Sequence, residues 1–361
     1  MELPSEKVAS QGYPTREERK QQLNNEIQKM IQQYHPEIMA FQESIEFSLS
    51  GCWNDRASLL DTPDGYRYYS SILVNSINHP HLNKWNNVRA KGQWPTSTLF
   101  GQGNAYLVRK DVSIFPPCSL PKAGVKFTKW LKSFLSSADK TLYSSSCVQN
   151  VALESGLYFG DRDTEARGCL VLHIVIPFHG PRQEEKPLDI FVLNTHLTTL
   201  LVERSELTEG KDKSYYVQAA ELRKSQLHRI LNGIVLRYET WIKNGFLVRG
   251  KSIELGPYET TKRWAPLWIA LGDFNFLANS EEYQWLVNQA FLPLSPANEY
   301  KTRAEIIGAV PTTTVDFVFV RPSWQYIEMG SKYNVSGSTS SIKSVSISDH
   351  CPVLAKIDIG T

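Results

Sequence analysis

Short apolar runs that stop at polar, chemically active residues recur along this chain, and they limit what it can fold into. Leu267-Trp268-Ile269-Ala270-Leu271 ends in Gly272-Asp273-Phe274-Asn275, and Ile190-Phe191-Val192-Leu193 ends in Asn194-Thr195-His196-Leu197. Ile38-Met39-Ala40-Phe41 leads to Gln42-Glu43, Asp316 heads Phe317-Val318-Phe319-Val320, and Ser348-Asp349-His350 precedes Pro352-Val353-Leu354. Apolar runs this short, bounded by turn formers, read as buried strands. Further strand candidates lie at 66–72, 104–109, 145–153, 168–177 and 353–357.

Elsewhere the apolar period changes to that of a helix. Leu23, Ile27, Met30 and Ile31 form one stripe behind the capping pair Thr15 and Glu18, closed by Pro36. Leu222, Leu227, Ile230, Leu231 and Ile234 form a second within 215–241, and a third helix is expected over 280–289. Strands interspersed with helices make an α/β chain. No repeat or long linker divides it, so one domain over 1–361 is expected, with loop insertions at about 74–100 and 240–262.

An apolar share of 41% over 361 residues is ample for a core, and 21% charge is that of a globular chain. A net charge of +2 argues against a surface dedicated to polyanions and leaves room for a local basic groove. Five cysteines without a CxxC pair point to reduced thiols and a cytoplasmic setting, with a disulfide in a secreted protein as the alternative. The opening residues lack an apolar signal core, and no apolar run reaches membrane-spanning length. Asn334-Val335-Ser336 matches a glycosylation acceptor and is read as a chance match.

Alternate side chains of a strand share a face, so Asp273 and Asn275 are expected to point into one site. A single such ending is ordinary turn chemistry. Taken alone, Glu43 is a surface carboxylate, His196 a structural histidine, Asp316 a cap and Asp349-His350 a turn. Five endings together supply carboxylates, amides and two histidines. Carboxylates, amides and water suit a hard cation such as Mg²⁺. Histidines beside them suit proton transfer and the stabilisation of developing negative charge. Hydrolysis of a phosphate ester needs both components.

Taken in order, Gln42-Glu43, Asn194-Thr195-His196-Leu197, Gly272-Asp273-Phe274-Asn275, Val315-Asp316-Phe317 and Ser348-Asp349-His350-Cys351-Pro352-Val353 resemble the motifs of the endonuclease/exonuclease/phosphatase (DNase I-like) superfamily. Gly103-Asn104-Ala105, Arg167-Gly168 and Arg223 to Gln226 agree as well. The resemblance implies a four-layer α/β sandwich, two packed β-sheets flanked by helices, with the site at one end. It implies Glu43 as a ligand of Mg²⁺, with Mn²⁺ the alternative ion, and Asp349 as a ligand directly or from behind it. Asp273 would orient or deprotonate the attacking water, and Asn194 and Asn275 would bind the scissile phosphate. His196 and His350 would contact phosphoryl oxygens, with Asp316 paired to His350. The likeness breaks at the amino terminus, where residues 1–14 hold no apolar strand ending in Asn, so the family's first strand is expected to be missing.

The activity so implied is that of a Mg²⁺-dependent phosphodiesterase or nuclease working by in-line attack of water. Nucleic acid is the favoured substrate; Lys84, Arg89, Lys91, Trp94, Lys211, Lys213, Tyr215 and Tyr216 read either as a basic, aromatic rim for it or as incidental charges on solvated loops. The alternatives are a sphingomyelinase- or inositol-phosphatase-like enzyme acting on a lipid or inositol phosphate, and a non-catalytic family member. The sequence leaves the oligomeric state open.

Overall fold

The computed structural model describes residues 16–48, 56–58, 62–75, 100–115, 148–153, 167–179, 185–198, 214–243, 246–247, 256–257, 264–296, 298–304, 310–323, 333–342, 348 and 350–360. Helix α1 (Arg16–Tyr34) is followed by β1 (Ile38–Ser48), β2 (Arg56–Ser58), β3 (Tyr66–Asn75), β4 (Phe100–Arg109), β5 (Ile114–Phe115), β6 (Val148–Ala152), β7 (Gly168–His179) and β8 (Glu185–His196). Next come α2 (Ser214–Ile230), a π-helical turn (Leu231–Val235), α3 (Leu236–Lys243), β9 (Phe246–Leu247), β10 (Gly256–Pro257) and β11 (Trp264–Asp273). Helix α4 (Glu281–Asn288), β12 (Leu292–Pro293), β13 (Asp316–Pro322), β14 (Asn334–Ser341) and β15 (Val353–Gly360) complete the order.

Two main sheets result. The first runs β2-β1-β4-β3, and the second runs β12-β13-β11-β8-β7-β5 with β6 also paired to β7. The pairing of β8 with β11 is parallel and every other pairing in these two sheets is antiparallel. A parallel pair needs a crossover, and α2 and α3 lie in the connection that makes it.

Side-chain alternation sorts the strands of the second sheet into two faces. Ile190 and Val192 of β8, Leu267 and Ile269 of β11, and Val318 and Val320 of β13 meet Tyr106 and Val108 of the first sheet. Phe191 and Leu193, Trp268 and Ala270, and Phe317 and Phe319 take the opposite face, against Leu227, Ile230, Ile234 and Leu286 of the helices. On the far side of the first sheet, Ile27 of α1 packs with Tyr66 and Leu107. The layers are helix, sheet, sheet, helix: the expected four-layer sandwich.

Polar side chains also lace the two sheets together. Asn104 donates to the carbonyls of Gly168 and Asn194 at 3.1 and 3.0 Å, and the Tyr106 hydroxyl donates to those of Leu170 and Val192. Buried amides and hydroxyls need such partners, and here the partners fix the spacing of the sheets.

Several strands outrun their apolar runs because backbone pairing continues through polar residues. Strand β8 extends through His196, and β1 extends past Gln42-Glu43 to Ser48 with a bulge between Phe41 and Ser44. Strand β14 was not expected at all. Its sequence, NVSGSTSS, offers one apolar residue, yet it pairs with β15 at all eight positions. The amino-terminal residues where the first strand is expected to be missing lie outside the described residues, as do most of each expected insertion and the side chains of the basic, aromatic rim from Lys84 to Tyr216.

Candidate active site

The site is a row across three strand ends. Asp273, last residue of β11, stands opposite His196 at the end of parallel β8 and opposite Asp316 at the start of antiparallel β13. By alternation all three occupy the inter-sheet face, two residues beyond Leu271, Asn194 and two before Val318 respectively. His196 Nε2 lies 3.4 Å from Asp273 Oδ2. The close approach of β8 and β11 at this level depends on Gly272. It has φ +133°, and a Cβ there would sit 2.0 Å from the Thr195 carbonyl oxygen.

A fourth side chain arrives from a different part of the chain. Arg303 forms an isolated antiparallel bridge with His350, and the Cys351 N–H donates to the Thr302 carbonyl at 2.6 Å. The Thr302 hydroxyl accepts from the N–H groups of Val315 and Asp316, so one threonine ties both segments together. His350 Nδ1 comes to 2.8 Å from Asp316 Oδ2, and its Nε2 lies 3.8 Å from Asp273 Oδ2. The carboxylate partner favours a proton on Nδ1 and leaves Nε2 directed at Asp273.

Asp273 itself has two differently engaged oxygens. Oδ1 accepts the Asn275 N–H at 2.9 Å, and Oδ2 faces the two histidines. Burial, and secondly the charge of Asp316, raise its pKa from 3.8 to about 7, against the opposing pull of His350, the Asn275 N–H and Arg303. His196 is moved in the other sense. Burial holds it neutral well below the usual histidine range, reinforced by Arg167, whose Nη1 sits 2.8 Å from Nδ1 and 3.1 Å from Nε2 of the ring.

These shifts predict a pH dependence of stability in the metal-free protein. A raised acid pKa means that the folded state keeps a proton that the unfolded chain releases above about pH 4. Asp273 therefore stabilises the fold fully at low pH, and that contribution is lost as pH rises through about 7. His196, held neutral, works in the opposite sense below about pH 6.5. Comparison with Asp273→Asn isolates the first effect. In EDTA the variant should gain on wild type as pH rises from 4.5 to 8, by at most about 4 kcal/mol at ~1.4 kcal/mol per pH unit. Urea unfolding of both proteins across that range checks it, and a difference that stays constant with pH would count against the assignment.

Residues 9–350 match the model of the Endonuclease/Exonuclease/phosphatase family. The chain belongs to this family. No curated protein matches it. Solved structures similar to it include a functionally unknown conserved protein from Enterococcus faecalis V583, at 13% identity and TM-score 0.48, covering 96% of this chain and 93% of that one. A mannosyl-6-phosphatase from Bacteroides thetaiotaomicron is similar at 15% identity and TM-score 0.45, over 94% and 91%. The APE2 catalytic domain of Xenopus laevis is similar at 15% and 0.41, over 95% and 88%.

The row also offers a donor set for a divalent cation. Asp273, Asp316 and His350 each offer a ligand atom, and the three atoms lie within 4.8 Å of one another. Two carboxylates this close repel, which is part of what raises the Asp273 pKa, and a cation between them would relieve that repulsion. Oxygen-rich donors of this kind suit a hard divalent ion. The residues present fit one.

The remaining expected site residues fall into two groups. The side chains of Glu43 and Asp349 lie outside the described residues. Glu43's backbone sits in the β1 bulge beside Gln42, whose amide donates to Asn194 Oδ1 at 2.6 Å. Asn194 and Asn275 are buried with their amides engaged on the main chain. Asn194 Nδ2 donates to the Phe41 and Ala105 carbonyls, and Asn275 Nδ2 to that of Leu197, all at 3.0 Å. Asn275 does not follow Asp273 by strand alternation as expected, because β11 stops at Asp273 and Asn275 turns to φ +52°. Thr302 and Arg303 were not foreseen as site residues, since neither adjoins a long apolar run. Arg167 had a sequence signal, in its place before β7, without a role attached.

Proposed function

We propose that this protein is a divalent-cation-dependent phosphoesterase, a phosphodiesterase of the nuclease type, cleaving a P–O bond by in-line attack of water. The observation that carries the reading is the row His196–Asp273–Asp316 with His350 Nδ1 held 2.8 Å from Asp316. It unites a desolvated carboxylate, a neutral imidazole and a carboxylate-oriented imidazole within one small space. A bound cation supplies charge neutralisation at the phosphoryl oxygens and a more acidic water. Glu43 and Asp349 would hold it together with Asp273, one of the three described donors that fit such an ion.

Asp273 Oδ2 orients the attacking water and takes its proton, since Oδ1 is committed to the Asn275 N–H. A cation beside it would pull this raised pKa back down and leave the carboxylate ionised, ready to accept that proton at neutral pH. His350, fixed through Nδ1 by Asp316, contacts a phosphoryl oxygen through Nε2 and exchanges a proton there. His196, kept neutral, donates a hydrogen bond to developing negative charge. Asn194 and Asn275, engaged as they are, hold the sheets and the β8 exit in place around the phosphate. The chain acts as one domain, and nucleic acid is the substrate class put forward.

The test is hydrolysis of bis-p-nitrophenyl phosphate with Mg²⁺, with Mn²⁺ and with EDTA, followed by RNA, DNA and sphingomyelin vesicles. Diester cleavage that EDTA abolishes and Mg²⁺ restores is expected, with nucleic acid cleaved in preference to sphingomyelin. Silence on every one of these substrates with either ion would remove the enzymatic reading and favour a non-catalytic member of the family.

A further inference from the structure

Past the last residue of β8 the chain leaves the sheet, and what holds it there is a cluster of buried side chains far away in sequence. The Leu197 N–H donates to the Asp273 carbonyl at 2.9 Å, and the Leu197 carbonyl accepts from Asn275 Nδ2. Thr198 is then gripped on three atoms. Its N–H donates to Gln226 Oε1 at 3.0 Å, its hydroxyl accepts from Gln226 Nε2 at 2.8 Å, and its carbonyl accepts from Arg223 Nη1 at 3.4 Å. Arg223 and Gln226 stand three residues apart on α2, the spacing at which side chains share one helix face. Arg223 is in turn fixed by Glu282 of α4, whose Oε1 accepts from Nε at 3.0 Å and from Nη2 at 2.8 Å.

We infer that Gln226 and Arg223 are positioning residues for His196: they fix the backbone two residues beyond it and so its distance to Asp273. The reason is geometric. His196 is the terminal residue of its strand, and terminal residues fray unless the backbone groups beyond them are satisfied. Here each polar backbone group of Leu197 and Thr198 has a partner, and Gln226 and Arg223 serve Thr198. Gln226 and Thr198 are 0% and 1% exposed, so water does not replace a lost partner without rearrangement. Both α2 residues act through the chain that carries the imidazole.

The inference rests on the proposed phosphoesterase function for its kinetic readout and is independent of it for its spectroscopic one. Gln226→Met and Thr198→Val each remove the amide–hydroxyl contact at nearly constant volume, while Thr198→Ser keeps it. In the full-length protein, Gln226→Met and Thr198→Val should lower kcat on bis-p-nitrophenyl phosphate about 10- to 100-fold, with KM little changed and Thr198→Ser close to wild type. With ¹⁵N-labelled histidine, the His196 ring signals should move in the two disruptive variants and stay in Thr198→Ser, while those of His173 hold still. If the disruptive variants melt earlier yet keep wild-type His196 signals and kcat, the residues are merely structural and the inference falls. Should the wild type show no hydrolysis, the functional proposal fails by itself, and the His196 signals alone then decide this one.

Discussion

Asp273→Asn should cut cation-dependent diester hydrolysis roughly 10²–10⁴-fold, the range expected when a positioned acid–base group is lost. The substitution keeps the shape of the side chain and an oxygen for the Asn275 N–H, so the turn after β11 survives. What it removes is the negative charge at Oδ2, the atom that faces both His196 and His350. The loss should appear in kcat rather than in KM, because orienting and deprotonating water matters most in the transition state. His350→Ala should give a loss of the same order. Combining the two should cost much less than the product of the single losses, since residues that act as one unit are not additive. Initial rates with saturating Mg²⁺ on the three variants test this. Retention of more than about a tenth of wild-type kcat by Asp273→Asn would sink the role given to that carboxylate.

The largest effect on stability is expected one residue earlier. Gly272→Ala adds a methyl group where the Thr195 carbonyl oxygen would be 2.0 Å away and its carbon 3.0 Å away, on a backbone with φ +133°. Both obstacles are main chain, so no side chain can swing aside. Strands β8 and β11 must separate at the register pair Gly272–Thr195, next to the pair that sets Asp273 against His196. A loss of more than about 4 kcal/mol is expected, in the class reserved for strain at special backbone positions. Urea denaturation and soluble yield measure it, with Gly272→Ser expected to fare no better. A stable Gly272→Ala protein would mean that the two strands do not approach as closely as described.

Much of the fold was legible in the sequence because it rests on local periodicity. The apolar runs at Ile190–Leu193 and Leu267–Leu271 read correctly as buried strands, and the stripe of Leu23, Ile27 and Met30 as the inner face of α1. Strand β14 escaped because its pairing with β15 is made by backbone groups under polar side chains, which leave no hydrophobic signature. Asn194 and Asn275 show the same limit at the site. Their residue type announces hydrogen bonding, but whether an amide meets a ligand or a carbonyl of another segment depends on what lies across the gap. For Asn194 that is Phe41 and Ala105 of the facing sheet, and for Asn275 it is Leu197 of the neighbouring strand exit.

By itself, then, the sequence determined which residues could carry chemistry, because an apolar strand that stops at a carboxylate or a histidine must present it at the sheet's edge of burial. It also supplied a glycine at 272, the residue type that the close approach of β8 and β11 requires. The tertiary structure alone decided which of these residues share a site. The parallel register of β8 with β11 and the antiparallel register of β11 with β13 align His196, Asp273 and Asp316, and the Thr302–Arg303 bridge brings in His350. Register and bridging depend on backbone pairing between segments tens of residues apart, and a one-residue slip would turn each of these side chains to the opposite face.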